Sequence, residues 1–339
     1  MPIIGFIAAF IFSVIMVPLV RKMCLAQGFF DQPGERKIHK APIPRLGGVA
    51  IWFGTILSLI TVVILQGQYP FGNSLSAILA GGTVMFLLGI VDDTYGLSAK
   101  FKFFVQIGAA LIAFLLGVQI NFINLPFIDT NIMLGLWSLP ITILWIVGLS
   151  NAFNFIDGVD GLAGTLGMTG AITLGILALM ATPAHTTCTL LCFILAGAIM
   201  GFLVFNFNPA RIFMGDSGSL FMGFLLASLS VVGVMKSATF TIFLPVFVLV
   251  VPIFDMCFAT VRRLLKGKSP FSPDAEHLHH KLLRAGLSHN KTVMALLAAT
   301  VAAGFVATYL VGAIKLYFIA VLILSAILFL LTIISKIRK

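Results

Sequence analysis

Long apolar runs alternate with short polar segments along almost the whole chain. Eleven of these runs are nearly free of charge, and each has about 18 residues or more, enough to cross the hydrocarbon core of a bilayer as a helix. Because the apolar positions are continuous rather than alternating, they exclude a β-barrel. The pattern predicts an all-α polytopic membrane protein with about eleven transmembrane helices. The runs lie near residues 3–20, 47–65, 74–91, 101–118, 133–150, 162–181, 187–205, 218–235, 240–258, 293–312 and 316–334.

Composition agrees with a membrane protein and excludes an ordinary soluble enzyme. Only 21 basic and 11 acidic residues occur in 339, 60% of residues are hydrophobic, and the mean hydropathy is +1.13. The four cysteines form no CxxC pair, which argues against a zinc site or a disulfide framework. No Pro/Gly/Ser linker separates a soluble part, so residues 1–339 are predicted to form a single integral membrane domain.

The basic residues predict the orientation in the membrane. Nineteen of the 21 lie in one of the two alternating sets of loops and ends, and only Lys236 and Lys315 lie in the other. The positive-inside rule then places the N-terminus outside and the C-terminus in the cytoplasm. Most of the net charge of +10 follows from this topology, so no nucleic-acid partner is expected.

The acidic residues follow the basic ones, although the positive-inside rule does not require it. Ten of the eleven, all but Asp129, lie on the same side or at that end of a span. The working face is therefore predicted to be the cytoplasmic one. Its loops lie near residues 21–46, 92–100, 151–161, 206–217 and 259–292.

The first candidate site is the pair Asp92 and Asp93 at the end of an apolar run. Two adjacent carboxylates at a membrane boundary favour a cation, and Mg²⁺ bound to phosphate suits them because it takes one or two carboxylates and completes its shell with phosphate and water. Ser98 is a predicted N-cap for a helix whose Lys102 reaches a phosphate. A solvated loop is the alternative interpretation of the pair.

The second candidate is the polar stretch from Asn151 to Gly161. Helical spacing places Asn154 and Asp157 on one face, with Asn151 a turn earlier, and Asp160 follows in the turn. The acidic positions of an EF-hand are missing, and a simple Gly-containing turn is the alternative.

The third candidate is the segment from Asn206 to Ser219, which contains Gly-Asp-Ser-Gly around Asp216. These four letters also occur at the nucleophile of chymotrypsin-like proteases, but here they join two membrane spans, which excludes that fold. The glycines allow close approach of a ligand, Asp216 is a suitable metal ligand, and Arg211 is placed near a diphosphate.

The fourth candidate is the long polar segment 259–292. Ser272 as N-cap, Pro273 at the first position and Gly286 after the end predict a short helix. His277, His280 and Arg284 would share one face of it, which suits an anionic diphosphate better than zinc. An amphipathic helix on anionic lipid is the alternative.

Together these residues indicate phosphoryl transfer involving a lipid phosphate at the inner membrane surface. Carboxylates would hold a divalent cation, and basic and imidazole groups would hold phosphates. A polytopic solute transporter is the competing class, but transporters place ionisable residues near the bilayer midplane, where these spans have almost none.

Four motifs in this order resemble the polyprenyl-phosphate N-acetylhexosamine-1-phosphate transferases. The resemblance covers residues 21–292 and extends to Pro44-Arg45-Leu-Gly-Gly in the first loop. The HLHH motif is closer to the branch that uses UDP-N-acetylglucosamine than to the branch that transfers phospho-N-acetylmuramoyl-pentapeptide, although Ala275 departs from the basic residue frequent there. The motifs are VDD at 91–93, NAFNFIDGVDGL at 151–162, FMGDSGS at 213–219 and HLHH at 277–280.

The resemblance implies transfer of N-acetylglucosamine 1-phosphate from UDP-GlcNAc to undecaprenyl phosphate, with release of UMP. Another UDP-HexNAc or the muramoyl-pentapeptide donor is the alternative. Mg²⁺, or Mn²⁺, would be the cofactor, and the sequence leaves a homodimer open.

The resemblance also assigns roles residue by residue. Asp216 with Asn154 would bind the metal. The catalytic set would be Asp92, Asp93, Asp157, Asp160 and His277. The substrate-binding set would be Lys40, Lys102, Asn151, Asn154, Arg211, His279 and His280.

Overall fold

The computed structural model of the protein describes residues 1–31, 42–67, 72–124, 132–235, 243–269 and 276–337, and this part of the chain is almost entirely helical. The predicted all-α polytopic membrane protein is confirmed as a fold class. The helices are α1 (Pro2–Gln27), α2 (Gly48–Gln66), α3 (Asn73–Tyr95), α4 (Ala99–Leu115), α5 (Ser138–Ile156), α6 (Leu162–Met180), α7 (Thr186–Asn206), α8 (Gly215–Ser230), α9 (Phe243–Val248), α10 (Val250–Leu265), α11 (Leu278–Arg284), α12 (His289–Leu310) and α13 (Ile314–Ile337).

The described part of each predicted span is mainly helical. Eight helices within the described ranges are long and apolar enough to cross a membrane: α1, α2, α3, α5 with the 3₁₀ turn before it, α6, α7, α8 with the π turn after it, and α12. The other three predicted spans coincide with α4, with α9 and α10, and with α13. The prediction of a continuous helix over 240–258 was wrong, because the chain breaks at Leu249 and α10 then continues to Leu265.

Two short antiparallel strand pairs were not predicted. Strand β1 (Phe30–Asp31) pairs with β2 (Ile43–Pro44), and β3 (Phe122–Ile123) pairs with β4 (Ile132–Met133). The first pair lies between α1 and α2 and places Arg45 directly after its second strand. This strand pair therefore sets the position of the Arg45 side chain.

Helix α8 lies at the centre of the bundle. Every residue of it except Asp216 is buried, and it packs against α2, α3, α5, α6 and α7. Small residues allow this close packing, as is common between membrane helices. A Cβ added at Gly48 of α2 would strike the backbone of Gly218, and one added at Gly89 of α3 would strike the backbone of Ser217.

The helix ends that carry the polar segments meet at one end of the bundle. Residues from the α1–α2 connection, the end of α5, the α7–α8 connection and the start of α12 line one cavity there, and the end of α3 and the start of α4 lie beside it. The structure thus brings together the loops that the charge pattern assigns to one face. The side of the membrane on which they lie stays a prediction.

The contact between α3 and α8 yields the first testable prediction. Gly89→Ala places a methyl group against the α8 backbone, which cannot move as a side-chain end can, so we expect the free energy of unfolding to fall by about 1–3 kcal/mol. Gly108→Ala in α4 is the matched control, since a Cβ there meets nothing within 4 Å. The thermal midpoints of the detergent-solubilised proteins measure the difference. Equal midpoints for the two variants would contradict the tight α3–α8 contact.

Candidate active site

The carboxylate of Asp93 closes the N-terminus of α8. Its Oδ1 accepts a hydrogen bond from the backbone N–H of Asp216 at 2.9 Å, and its Oδ2 accepts one from that of Ser217 at 3.0 Å. The first turn of a helix has unpaired N–H groups and a partial positive charge, so an anion is stabilised there. Gly215, with φ of 71°, lets the chain turn so close to this carboxylate that a Cβ would strike it. The glycine that sequence reasoning assigned to ligand approach therefore serves this internal contact.

Arg45 joins Asp93 to the rest of the site. Its Nε lies 3.1 Å from Oδ1 of Asp93, whose side chain is fully buried, and its Nη2 lies 3.6 Å from Oδ1 of Asp216. Its Nη1 lies 3.9 Å from Oδ1 of Asp31 in β1. Burial opposes the charge on the guanidinium, but Asp93, Asp216 and Asp31 together raise the pKa of Arg45. Sequence reasoning quoted Arg45 within a motif but did not count it as a site residue.

Backbone hydrogen bonds hold this arginine in register with α8. The N–H of Phe213 donates to the carbonyl of Pro44 at 2.8 Å, and the N–H groups of Gly47 and Gly48 donate to the carbonyls of Phe213 and Met214 at 2.8 and 2.9 Å. The loop between α1 and α2 is thus held to the segment before α8 by three backbone hydrogen bonds. The position of Arg45 is consequently fixed by the backbone as well as by its charge.

Lys102 lies between the carboxylates of Asp92 and Asp216, and these residues form one charged cluster with Asp93 and Arg45. Its Nζ lies 2.9 Å from Oδ2 of Asp92 and 3.0 Å from Oδ2 of Asp216. The other oxygen of Asp92 accepts a hydrogen bond from the backbone N–H of Leu97 at 2.7 Å. Ser98 caps α4 as predicted, accepting from the N–H of Phe101 at 3.3 Å. Asp92, Asp93, Lys102 and Asp216 were all predicted site residues, and the structure brings them together.

A polar cavity of about 550 Å³ opens beside this cluster. Asp216 faces it with a side chain that is 13% exposed. Predicted site residues that line the cavity are Asn154, Asp157, Asp160, Asp216 and His280. Polar residues that line it without having been predicted are Asp31, Arg45, Asn206, Asn208 and His289.

The carboxylate of Asp157 lies in the cavity, directly after the end of α5. No described residue donates a hydrogen bond to it, and the residue is partly exposed. Its position deep among protein atoms raises its pKa well above the ordinary value, and the charges of Asp216 and Asp93 raise it further. A carboxylate in this state is stabilised by a cation.

Asp160 instead anchors the loop that follows α7. Its Oδ2 accepts hydrogen bonds from the amide of Asn208 at 2.9 Å and from the N–H of Ala210 at 3.0 Å. The Asn208 amide nitrogen also lies 3.5 Å from Nδ1 of His289. The ring of His289 therefore packs against the same loop.

The two asparagines of α5 have different environments. Asn154 lines the cavity, and its amide nitrogen donates to the hydroxyl of Ser219 at 2.9 Å, which leaves the amide oxygen for a ligand. Asn151 faces α4 and forms a reciprocal pair with the buried Gln106, with N···O distances of 2.6 and 3.4 Å. The substrate contact predicted for Asn151 therefore competes with a helix–helix hydrogen bond.

The three histidines of the 277–280 motif divide in the same way. Nδ1 of His277 lies 2.8 Å from Oδ2 of Asp255 in α10, and His277 is the N-cap of α11 rather than a residue within it. His279 is 1% exposed, and neither of its ring nitrogens has a hydrogen-bond partner among the described residues. Only His280 of the three lines the cavity. The predicted shared face of His277, His280 and Arg284 is thus absent.

Two further predicted residues lie elsewhere. Lys40 is outside the described residues, as are Ser272 and Pro273, so the predicted start of the short helix is outside them too. Within them that helix begins at Leu278, and Gly286 follows its end as predicted, with φ of 93°. Arg211 is exposed and does not line the cavity itself, although its neighbour Ala210 does, and its contact with a diphosphate stays a prediction.

The balance of charge around the cavity fits a divalent cation. Among the described residues no three His, Cys, Asp or Glu side chains form a ready-made metal cage. Mg²⁺ does not need one, because it uses one or two carboxylates and fills its shell with water and phosphate oxygens. Within the described residues the cluster nevertheless has more carboxylates than cations. The carboxylates are Asp31, Asp92, Asp93, Asp157 and Asp216, and the cations are Arg45 and Lys102.

The raised pKa of Asp157 yields the second prediction. A raised pKa in the folded state means that the stabilising contribution is complete at low pH and is lost as pH rises through that pKa. Asp157→Asn removes the charge, so without divalent cations we expect its thermal midpoint to exceed that of the wild type at pH 8. The excess should shrink on going to pH 5. A midpoint below the wild type at pH 8 would contradict the environment described for Asp157.

The comparison with known protein families covers the region that contains most of these residues. The sequence model of glycosyl transferase family 4 matches residues 75–234, which run from α3 to the end of α8 and so contain Asp92, Asp157 and Asp216.

Whole-length similarity extends beyond that region. A probable undecaprenyl-phosphate N-acetylglucosaminyl 1-phosphate transferase of Bacillus subtilis is 38% identical over 86% of this chain and 80% of its own length. A decaprenyl-phosphate N-acetylglucosaminephosphotransferase of Mycobacterium tuberculosis is 33% identical over 81% and 74%. An undecaprenyl-phosphate alpha-N-acetylglucosaminyl 1-phosphate transferase of Salmonella typhi is 30% identical over 88% and 81%. The chain therefore belongs to glycosyl transferase family 4, in the branch of these N-acetylglucosaminyl 1-phosphate transferases.

Proposed function

We propose that this enzyme transfers N-acetylglucosamine 1-phosphate from UDP-GlcNAc to undecaprenyl phosphate at the cytoplasmic face of a bacterial plasma membrane. An oxygen of the lipid phosphate forms a bond to the sugar-bearing phosphorus of the donor. The bond from that phosphorus to the bridging oxygen breaks, and UMP leaves. The products are undecaprenyl-diphosphate-GlcNAc and UMP. The reaction is the first membrane-bound step in the synthesis of a cell-envelope glycopolymer.

The observation that carries this proposal is that Asp157, which lines the cavity together with Asp216, accepts no hydrogen bond from any described residue. An excess of carboxylates would repel a diphosphate unless a cation lay between them, so the site suits a metal-bound diphosphate and suits neither a free anion nor a neutral solute. Asp216, Asp157 and the oxygen of Asn154 are the residues that would hold Mg²⁺. When bound, Mg²⁺ neutralises charge that develops on the phosphate oxygens.

The cations and imidazoles account for the substrates. Arg45 lines the cavity, and while its Nε stays with Asp93 its remaining N–H groups can donate to donor phosphate oxygens. His280 and His289 line the same cavity and offer further polar contacts. Lys102 of α4 lies outside this lining and contacts both Asp92 and Asp216, so we assign it to the lipid phosphate.

The acceptor needs little help from a base. A phosphate monoester has a second pKa of about 6 and is largely ionised at neutral pH. Asp93 is fully buried and already accepts two backbone hydrogen bonds and the Arg45 guanidinium. We therefore assign Asp93 to the architecture of the site and Asp92 to the orientation of Lys102.

The transporter alternative gains no support. The ionisable groups that the structure brings together lie at helix ends rather than in the middle of the spans. The relatives carry transferase names as well. The homodimer stays a prediction.

The direct test is a transfer assay. Membranes containing the protein, undecaprenyl phosphate, Mg²⁺ and UDP-GlcNAc labelled in the sugar should form a labelled lipid and release UMP in equal amounts. EDTA should stop the reaction, and Mg²⁺ or Mn²⁺ should restore it. A panel of other UDP-HexNAc donors and UDP-MurNAc-pentapeptide tests the sugar. Failure with every donor would refute the proposal.

Two lysines on α4 provide a matched pair of variants for this assay. Lys102→Met leaves Asp92 and Asp216 without their shared cation, so we expect activity to fall by about 100-fold or more. Lys100→Met removes an exposed charge two residues away and should retain activity near that of the wild type. Equal losses for the two variants would contradict the role of Lys102.

A further inference from the structure

The segment from His277 to His280 packs against the loop of residues 157–161, where Gly158 meets the ring of His279. Both parts contribute to the lining of the cavity: Asp157 and Gly158 from the loop, and His280 from α11. A donor bound there would contact both parts, so their relative position decides whether it fits. Two buried residues that do not line the cavity, Asp255 and His279, fix that relative position.

Asp255 fixes the start of α11. It lies in α10, is 6% exposed, and binds twice: Oδ2 is 2.8 Å from Nδ1 of His277, and Oδ1 accepts from the backbone N–H of Leu278 at 2.6 Å. Leu278 is the first residue of α11, where an N–H has no partner within the helix. One carboxylate thus sets both the position and the direction of the helix that carries His280.

His279 fills the space between α11 and the loop. Its ring lies beneath Gly158, where a Cβ would come within 2.7 Å of Nε2. It stacks nearly parallel to His277, with ring centroids 5.8 Å apart, and lies 4.3 Å from the ring of His280. Burial lowers the pKa of His279 to about 3, with the charges of His280 and His277 acting in the same direction and that of Asp255 opposing. The residue therefore packs as a flat, neutral ring.

We propose that Asp255 and His279 are positioning residues of the donor site. Asp255 orients α11, and His279 supports Gly158, so that His280 and Asp157 face the same nucleoside diphosphate sugar. The inference rests on the proposed function for the identity of the donor. It differs from the sequence-based expectation that His279 binds the substrate directly.

Gly158 permits a sharp test through a compensating pair. The backbone of Gly158 is not left-handed, so alanine is tolerated there apart from the contact with His279. Gly158→Ala should raise the KM for UDP-GlcNAc by about tenfold to 100-fold through displacement of the loop. His279→Ala should also raise it, through loss of support. The double variant should bind the donor better than Gly158→Ala alone, because the new methyl group enters the space that the ring leaves.

The readouts separate positioning from general damage. The KM for undecaprenyl phosphate should change little in each variant, whereas general damage to the fold would raise the KM for both substrates. Gly108→Ala and His185→Ala are controls, the first in open space and the second at the opposite end of the bundle. Additive effects of Gly158→Ala and His279→Ala, or equal rises in KM for both substrates, would overturn the proposal.

Asp255→Asn gives an independent arm should Gly158→Ala fail to accumulate. The amide keeps the shape but holds the His277 ring and the Leu278 N–H less strongly, so the KM for UDP-GlcNAc should rise while kcat changes less. An unchanged KM would overturn the role of Asp255. Turnover by the wild-type enzyme is measured in the same series, so failure of the proposed function would show there and not in the variants alone.

Discussion

The site depends on one buried contact, the carboxylate of Asp93 at the N-terminus of α8. α8 is the central helix, and its first turn also carries Asp216, so the cap that orients the helix also places the carboxylate that faces the cavity. Arg45 balances the buried charge from the other side at 3.1 Å. A fully buried carboxylate without such partners would cost several kcal/mol. The buried position of Asp93 therefore depends on both Arg45 and the two N–H groups of α8.

This contact divides the carboxylates into two groups. Asp93 and Asp92 have their oxygens occupied by backbone N–H groups and by Arg45 or Lys102. Asp157 and Asp216 face the cavity, and Asp157 has no donor among the described residues. A pair of adjacent aspartates in the sequence thus supports the site, while two aspartates far apart in the sequence form the part that faces the cavity.

The sequence predicts much of the fold and of the cluster for simple physical reasons. Uninterrupted apolar runs can only be helices in a bilayer, and loops on one side of the membrane must meet at one end of the bundle. Partners that depend on tertiary contacts were not predictable in the same way. Asp255 and His289 are single polar residues with no local pattern, and the motif that contains Arg45 does not show which carboxylate it meets. The break at Leu249 lies within an apolar run that continues on both sides.

Helical spacing alone does not predict which of the asparagines and histidines face the cavity. Asn151 and Asn154 are three residues apart, and the 60° between them on the helix is enough to turn one towards Gln106 of α4 and the other towards Ser219 of α8. His277 lies just before α11 begins, so the face predicted for a longer helix did not form. Only the neighbouring elements decide which of these polar groups is free.

Comparison of Asp93→Asn with Asp216→Asn in thermal unfolding tests the central claim most directly. An amide cannot accept both N–H groups of α8, and it leaves Arg45 without its buried partner, so the unfolding free energy of Asp93→Asn should fall by about 3–5 kcal/mol. Asp216→Asn should abolish transfer but unfold near the wild-type midpoint. An inactive Asp93→Asn enzyme that unfolds at the wild-type midpoint would contradict the account, since Asp93 would then act in the chemistry and not in the architecture.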